Sequence, residues 1–219
     1  MSLVELMVGI TVGLFVVAAA ATLMANQLSD NRRLLVETQI QQDLRASMDI
    51  ITRQLRRAGA VTIGFAEIGL ATPTGTGGAL SAYTAVTPTA AAATELRFVY
   101  YRNASEDGPY GFKLENNIIK TLAAGAGWQE LTDANVMKVT AFTVTPVQVA
   151  SSVLPCPKLC ADGTARCWPQ LVVRDYTVTI TAEARNDPTV RRSMSSKVRL
   201  RNDWVRFNDA ANPNAVCPA

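Results

Sequence analysis

From Leu6 to Ala25 the chain runs for 20 residues without a charge, LMVGITVGLFVVAAAATLMA. As an α-helix such a run is about 30 Å long, the thickness of a bilayer's hydrocarbon core. It is apolar on every side, so one covering surface does not satisfy it; it needs lipid or several apolar neighbours. A secretory signal fits poorly. No basic segment precedes the run, it exceeds the roughly 7–15 residues of a signal's apolar region, and no turn follows it. The expectation is a membrane-competent helix that belongs to the protein.

The helix is expected to continue beyond the run. Residues 26–58, NQLSDNRRLLVETQIQQDLRASMDIITRQLRRA, hold no Pro or Gly and are rich in good helix formers. Leu44, Met48, Ile51 and Leu55 are spaced by four, three and four residues, one apolar stripe, which Ile40 and Val36 extend backwards. The opposite face carries Asp30, Arg32, Arg33, Glu37, Asp43, Arg45, Asp49, Arg53, Arg56 and Arg57. Gly59, after a basic last turn, supplies the stop. The spacing therefore predicts one helix of about 55 residues and near 80 Å, apolar all round in its first half and amphipathic in its second.

Past Gly59 the period changes. Residues 71–93 form an uncharged Thr/Ala/Gly/Pro-rich stretch, read as an irregular loop. In TELRFVYYR, Leu96, Phe98 and Tyr100 share a face, and YGFKLENNIIKTL reads as a hairpin turning at Glu115-Asn116-Asn117. VMKVTAFTVTPVQV is a long β-branched run. In LVVRDYTVTITAEAR, Tyr176, Val178 and Ile180 point inward, and Asp175, Thr177, Thr179, Thr181 and Glu183 outward. Asn186-Asp187-Pro188 turns the chain into SMSSKVRLRN, with Val198 and Leu200 inward. Four or five antiparallel strands after one helix make an α+β fold, with the Ile40–Leu55 stripe as the cover of the sheet. The domain reading is 1–25 apolar helix, 26–59 amphipathic half of the same helix, and 60–219 β-sheet head. Within the head, 71–93 is a variable loop, and 151–170 and 203–219 are a Cys-rich loop and tail.

Composition removes whole classes of function. The 219 residues contain no histidine, which excludes Ser-His-Asp and Cys-His nucleophiles and most catalytic zinc sites. No cluster of catalytic residue types stands out, so the chain reads as a non-enzyme without cofactor or metal. Lys plus Arg is 21 against 18 for Asp plus Glu, a net of +3, too mild to imply nucleic acid. Lys197, Arg199 and Arg201 share parity on the last strand, but a solvated outer face accounts for them better than phosphate contacts. Tyr100, Tyr101, Tyr110 and Phe112 read as sheet core and edge. SEDGPYG offers too few oxygens for calcium and reads as a turn. Asn103-Ala104-Ser105 is a sequon of a length that arises by chance.

Four cysteines complete the inventory: Cys156, Cys160, Cys167 and Cys217. Their spacing is not that of a zinc ribbon or finger, and an exported domain favours disulfides. Three pairings are open. In one of them Cys217 ties the tail back to the cluster while the other two close a short loop.

SLVELMVGITVGLFVVAAA resembles the start of mature type IV pilins. ETQIQQDLRASMDIITRQLRRAG and KVRLRN look like PilW-type minor pilins and the related J-type pseudopilins. The resemblance implies a pilin fold, processing by a prepilin peptidase, storage in the bacterial inner membrane, and then polymerisation into a pilus at the cell surface. The partners it implies are other copies or other pilins, met through the helix, and the pilus assembly machinery. A glutamate at position five is a mark of the family, and Glu5 stands there; Met1 occupies the place where the family usually has phenylalanine.

Physical chemistry gives Glu5 its own reading. A carboxylate in an otherwise apolar helix costs roughly 2.5–3.5 kcal/mol in lipid and calls for a partner. In a stack of like helices that partner is a neighbour's α-amino group at residue one, and the pair would set axial register. The alternative is Glu5 snorkelling at the interface. Gly9 and Gly13 either let helices approach closely or mark weak points of the helix. Where many pilins carry a proline near position 22 this chain has Thr22, which favours an unbroken helix. The reading is a filament subunit, minor (priming or tip) by resemblance. The alternatives are a major subunit forming a homopolymer, and a single-pass anchored adhesin or binding module.

Overall fold

A computed structural model describes residues 2–60, 85–101 and 108–206, with the side chains of 148–150 and 204–206 outside that description. Met1, Cys217, the sequon at 103–105 and most of the 71–93 stretch lie outside the described residues.

One helix, α1 (Leu3–Leu55), precedes nine strands among the described residues: β1 (Val86–Thr87), β2 (Glu95–Tyr100), β3 (Gly108–Glu115), β4 (Ile118–Ala123), β5 (Gly127–Glu130), β6 (Met137–Val153), β7 (Gln170–Ala184), β8 (Arg191–Arg199) and β9 (Trp204–Arg206). The fold is α+β, as the sequence predicts, and pilin-like. The strand count and arrangement differ from expectation. The described residues form two antiparallel sheets, a meander β1-β2-β3-β4-β5 and a second sheet β6-β7-β8 with β9 also pairing β7. Part of the difference comes from the 71–93 stretch. Val86 pairs with Phe98, and Ala93 bridges to Val144, so uncharged residues read as loop supply a strand and a link between the sheets.

The helix is continuous through Thr22 and ends where Gly59 allows it. Gly59 has φ +78°, a left-handed conformation that favours glycine, and its N–H donates to Val99 O at 2.9 Å. Tyr101 N–H donates to Ala60 O at 2.8 Å, so the chain leaving the helix is stitched to the end of β2. The β3–β4 hairpin turns at Asn116 and Asn117, with φ +54° and +62°, the two left-handed residues that a tight type I′ turn requires.

The second half of α1 lies on the inner face of β7 and β8. Ile40, Leu44, Met48, Ile51, Leu55 and Ala58 from the helix and Tyr176, Val178, Ile180, Ala182, Val198 and Leu200 from the strands belong to one buried core. Burial of side chains of this size contributes about 1.5–3 kcal/mol each. Leu96, Phe98, Tyr100, Tyr110, Phe112 and Ile119 extend that core into the first sheet, with Tyr100 and Tyr110 stacked at 4.1 Å between ring centroids. Gly111 sits opposite Arg97 in the β2–β3 register, and a Cβ there would stand 2.5 Å from Leu96 O, so only glycine fits.

Two orientations differ from expectation. Val36 belongs to the stripe by spacing but is 37% exposed, because the apolar core under the head begins one helical turn later, at Ile40, and the head's contact at Val36's own turn is polar, Arg192 with Glu37. Asp175 is on the outward face by parity yet is buried; Lys197 on β8 covers it, Nζ to Oδ2 at 3.0 Å. The rest of that face is polar, with Thr179 and Ser195 hydroxyls 3.1 Å apart and Thr181 and Ser193 hydroxyls 3.0 Å apart.

Candidate functional site

Every described residue from Ser2 to Val36 is exposed. The apolar window in this half has a mean hydropathy of 2.4 and no part of it is buried. The backbone starts at Ser2, whose carbonyl accepts from Glu5 N–H at 3.0 Å and Leu6 N–H at 3.2 Å. Glu5 is the acidic residue of the first turn, where the helix dipole favours negative charge. The side-chain hydroxyls inside the run are satisfied by the helix itself. Thr11 Oγ1 donates to Met7 O and Val8 O, and Thr22 Oγ1 to Ala19 O at 2.8 Å. The run therefore presents no unsatisfied backbone or side-chain donor to lipid.

The exposed surface has an orientation. At about 100° per residue, the buried residues Ile40 to Leu55 fall on one face, and Met24, Leu28, Asn31 and Leu35 fall about 180° away. Leu28 is 54% exposed and Leu35 71%, although both lie beyond the uncharged run. With Leu3, Met7, Ile10, Leu14, Val17 and Ala21 they repeat at alternating steps of four and three, a seam that suits a partner helix, with Asn31 as its polar position. Gly13 flanks that seam and Gly9 lies off it, and nothing stands within 4 Å of where a Cβ would be on either.

Between the naked and covered halves is a polar neck absent from the sequence reading. Arg192 on β8 forms an ion pair with Glu37. The β7–β8 turn reaches Arg33. The Asp187 carboxyl is held below its usual range first by hydrogen bonds from Thr189, side chain (2.5 Å) and backbone (3.0 Å), and further by the charge of Arg33. Only a carboxylate and a guanidinium from distant segments, placed by the fold, reveal this contact; no local spacing signals it.

The cysteines occupy the other end. The β7–β8 turn stands at Arg33, whereas the start of β7 stands beside the helix C-terminus, where Leu200 N–H donates to Arg174 O and Asn202 Nδ2 to Ala58 O. The β6–β7 loop therefore lies at the end of the head away from Glu5, Gly9 and Gly13. Cys160 and Cys167 form a disulfide there, and Cys156 is also disulfide-bonded. The loop is shorter than the 151–170 read from sequence, because Ser151–Val153 continue β6 and Gln170 opens β7. The tail likewise contributes β9 at 204–206. Trp168 Nε1 donates to Lys158 O at 2.9 Å across the stapled loop. Among the described residues no group of three His, Cys, Asp or Glu is arranged to hold a metal. Of the basic stripe, Lys197 pairs with Asp175 and Arg199 with Asp203 at 3.5 Å.

The family model of prepilin peptidase-dependent protein B matches residues 33–200. The chain belongs to the prepilin peptidase-dependent protein B family. This is a type IV pilin-related family, and its name links the chain to the prepilin peptidase of the pilus machinery. The match opens at Arg33, beside the β7–β8 turn of the head, and closes at Leu200, one position past β8 and the last core residue among those described. Membership thus rests on the head and the covered half of α1. The naked half fits membrane anchoring before assembly. No curated protein and no solved structure matches the chain.

Proposed function

We propose that this prepilin peptidase-dependent protein B family member is a non-catalytic minor subunit of a type IV pilus-like filament, priming its assembly or capping its tip. The observation that carries the reading is the division of α1. The head covers one face from Ile40 onward and leaves residues 2–36 exposed on all sides, with an apolar seam opposite the head. Lipid covers that surface before assembly, and neighbouring helices cover it in the filament. Burying even about 1,000 Å² of it is worth on the order of 25 kcal/mol before the costs of association. Contacts of this kind are heterologous and do not close, so they propagate as a helix. Glu5 then selects register by pairing with the N-terminal amine of the adjacent subunit. The priming or tip role is supported by the PilW-type character of residues 37–59 and 197–202.

Quantitative mass spectrometry of sheared filaments tests the reading. A trace amount of this chain beside an abundant smaller pilin is expected, and the same spectra read the N-terminal residue, its methylation and the cysteine pairing. A filament made mostly of this chain would make it a major subunit instead. Glu5→Ala should insert normally in the membrane and fail to enter filaments; unimpaired function without any filament association would point to an anchored binding module.

A further inference from the structure

Where the two sheets meet, a cleft of about 290 Å³ opens between the β3–β4 turn and the base of the β6–β7 pair. Asn116, Asn117, Lys138, Arg185 and Asn186 line it, with the buried Met137 beneath. Its walls are fixed. Val139 N–H donates to Asn117 O at 2.9 Å and Asn117 Nδ2 to Val139 O at 3.2 Å, which pins the hairpin tip of one sheet to the first strand of the other. Arg185 is held by its N–H to Val136 O at 3.2 Å and by Nη1 to Ala134 O at 2.8 Å.

Other groups in the cleft are uncommitted. Among the described residues Lys138 has no ion-pair partner, although Glu183 stands opposite it in the β6–β7 register. The Asn116 and Asn186 amides make no hydrogen bond within the described protein, and no carboxylate lines the cleft. Two cations and three amides on a rigid frame suit a ligand carrying one negative charge and several hydroxyls. The volume is at the lower end for small-molecule sites, room for about one sugar ring.

We propose that this cleft binds an acidic monosaccharide unit, its carboxylate against Lys138 and Arg185 and its hydroxyls against Asn116 and Asn186. The site is on the head, and no residue of α1 lines it. Its occupation requires no movement of the sheets, because the protein's own hydrogen bonds already hold both walls.

The test titrates the full chain in nanodiscs with glucuronate, glucose and acetate, read by saturation-transfer NMR on the small molecule, and with inorganic phosphate, read by its displacement of glucuronate. Glucuronate should bind at least about tenfold more tightly than glucose and than acetate, since one arm loses the charge and the other the hydroxyls. Lys138→Ala and Asn186→Ala, both at exposed positions, should each weaken glucuronate by about fivefold or more, and Lys138→Arg should retain it. Unchanged far-UV circular dichroism and melting temperature confirm that the variants are folded. Equal binding of glucose, or of acetate or phosphate, overturns the proposal in favour of a neutral-sugar or simple anion site. Glucuronate binding that survives Lys138→Ala also overturns it. Saturation confined to a neighbouring copy's acidic side chain, seen as glucuronate failing while the nanodisc-embedded chain self-associates through this cleft, would do the same.

Discussion

The two halves of α1 are one unbroken helix with opposite surroundings. From Ile40 to Leu55 one face is buried against the head, with Ile40, Ile51 and Leu55 at 0% exposure, and the other faces are charged. From Ser2 to Val36 no described residue is covered, and the surface is apolar through most of its length. A stripe can be satisfied by the chain's own sheet. A rod that is apolar all round cannot, because a head docked on one side leaves every other side open. The covered half therefore makes the subunit fold, and the naked half makes it need a membrane or neighbours.

Core truncation should separate the halves most sharply. Ile51→Ala is expected to destabilise the head by about 2–5 kcal/mol in urea unfolding of the detergent-solubilised chain followed by tryptophan fluorescence. Leu14→Ala should leave that transition in place and lower filament incorporation instead. An equal shift for both variants would erase the distinction between the two halves. Glycines offer a second contrast. Gly111→Ala drives a Cβ onto Leu96 O and should cost roughly 1–3 kcal/mol of head stability. Gly13→Ala meets open space; it should favour the helix by up to about 1 kcal/mol and leave the head's melting temperature unchanged.

At the boundary, Arg192→Ala removes the partner of Glu37. As a partly exposed pair it should contribute only about 0–1 kcal/mol to global stability, while hydrogen exchange between residues 33 and 40 quickens. The smallest effect is a pH limb confined to the head. Glu115 is held down to about 2, first by the Lys113 hydrogen bond and then by that of Lys120. A depressed carboxyl stabilises the fold above its ordinary value of 4.5 and loses that contribution as pH falls toward 2. Acid titration of the unfolding midpoint should show this limb, and Glu115→Gln should flatten it. Asp187, also lowered, adds in the same direction, and Asp187→Asn should make the neck less sensitive to acid.

How much of this was legible in advance depended on the range of the signal. The helix from its apolar start to Gly59, the Ile40–Leu55 face, the Asn116-Asn117 turn and the inward row Tyr176–Val178–Ile180 all follow from period and residue type over a few neighbours. Glu5 stands out in the sequence because one charge precedes an uncharged run, and its part in assembly belongs to the proposed function. Val36 was misplaced because spacing records which way a side chain points and carries no information about where the covering surface ends. Asp175 was misplaced because its cover, Lys197, comes from another strand.

The sequence alone determined a long rod, apolar then amphipathic, joined to an antiparallel head, because helix period, strand alternation and turn chemistry are local and each is written within a few residues. Tertiary structure decided the split into two sheets, the strand at Val86–Thr87, the Cys160–Cys167 pairing, the Glu37–Arg192 neck and the cleft at the sheet junction. Each of these depends on register and on which distant segments meet, and those are set by the packing of the whole core.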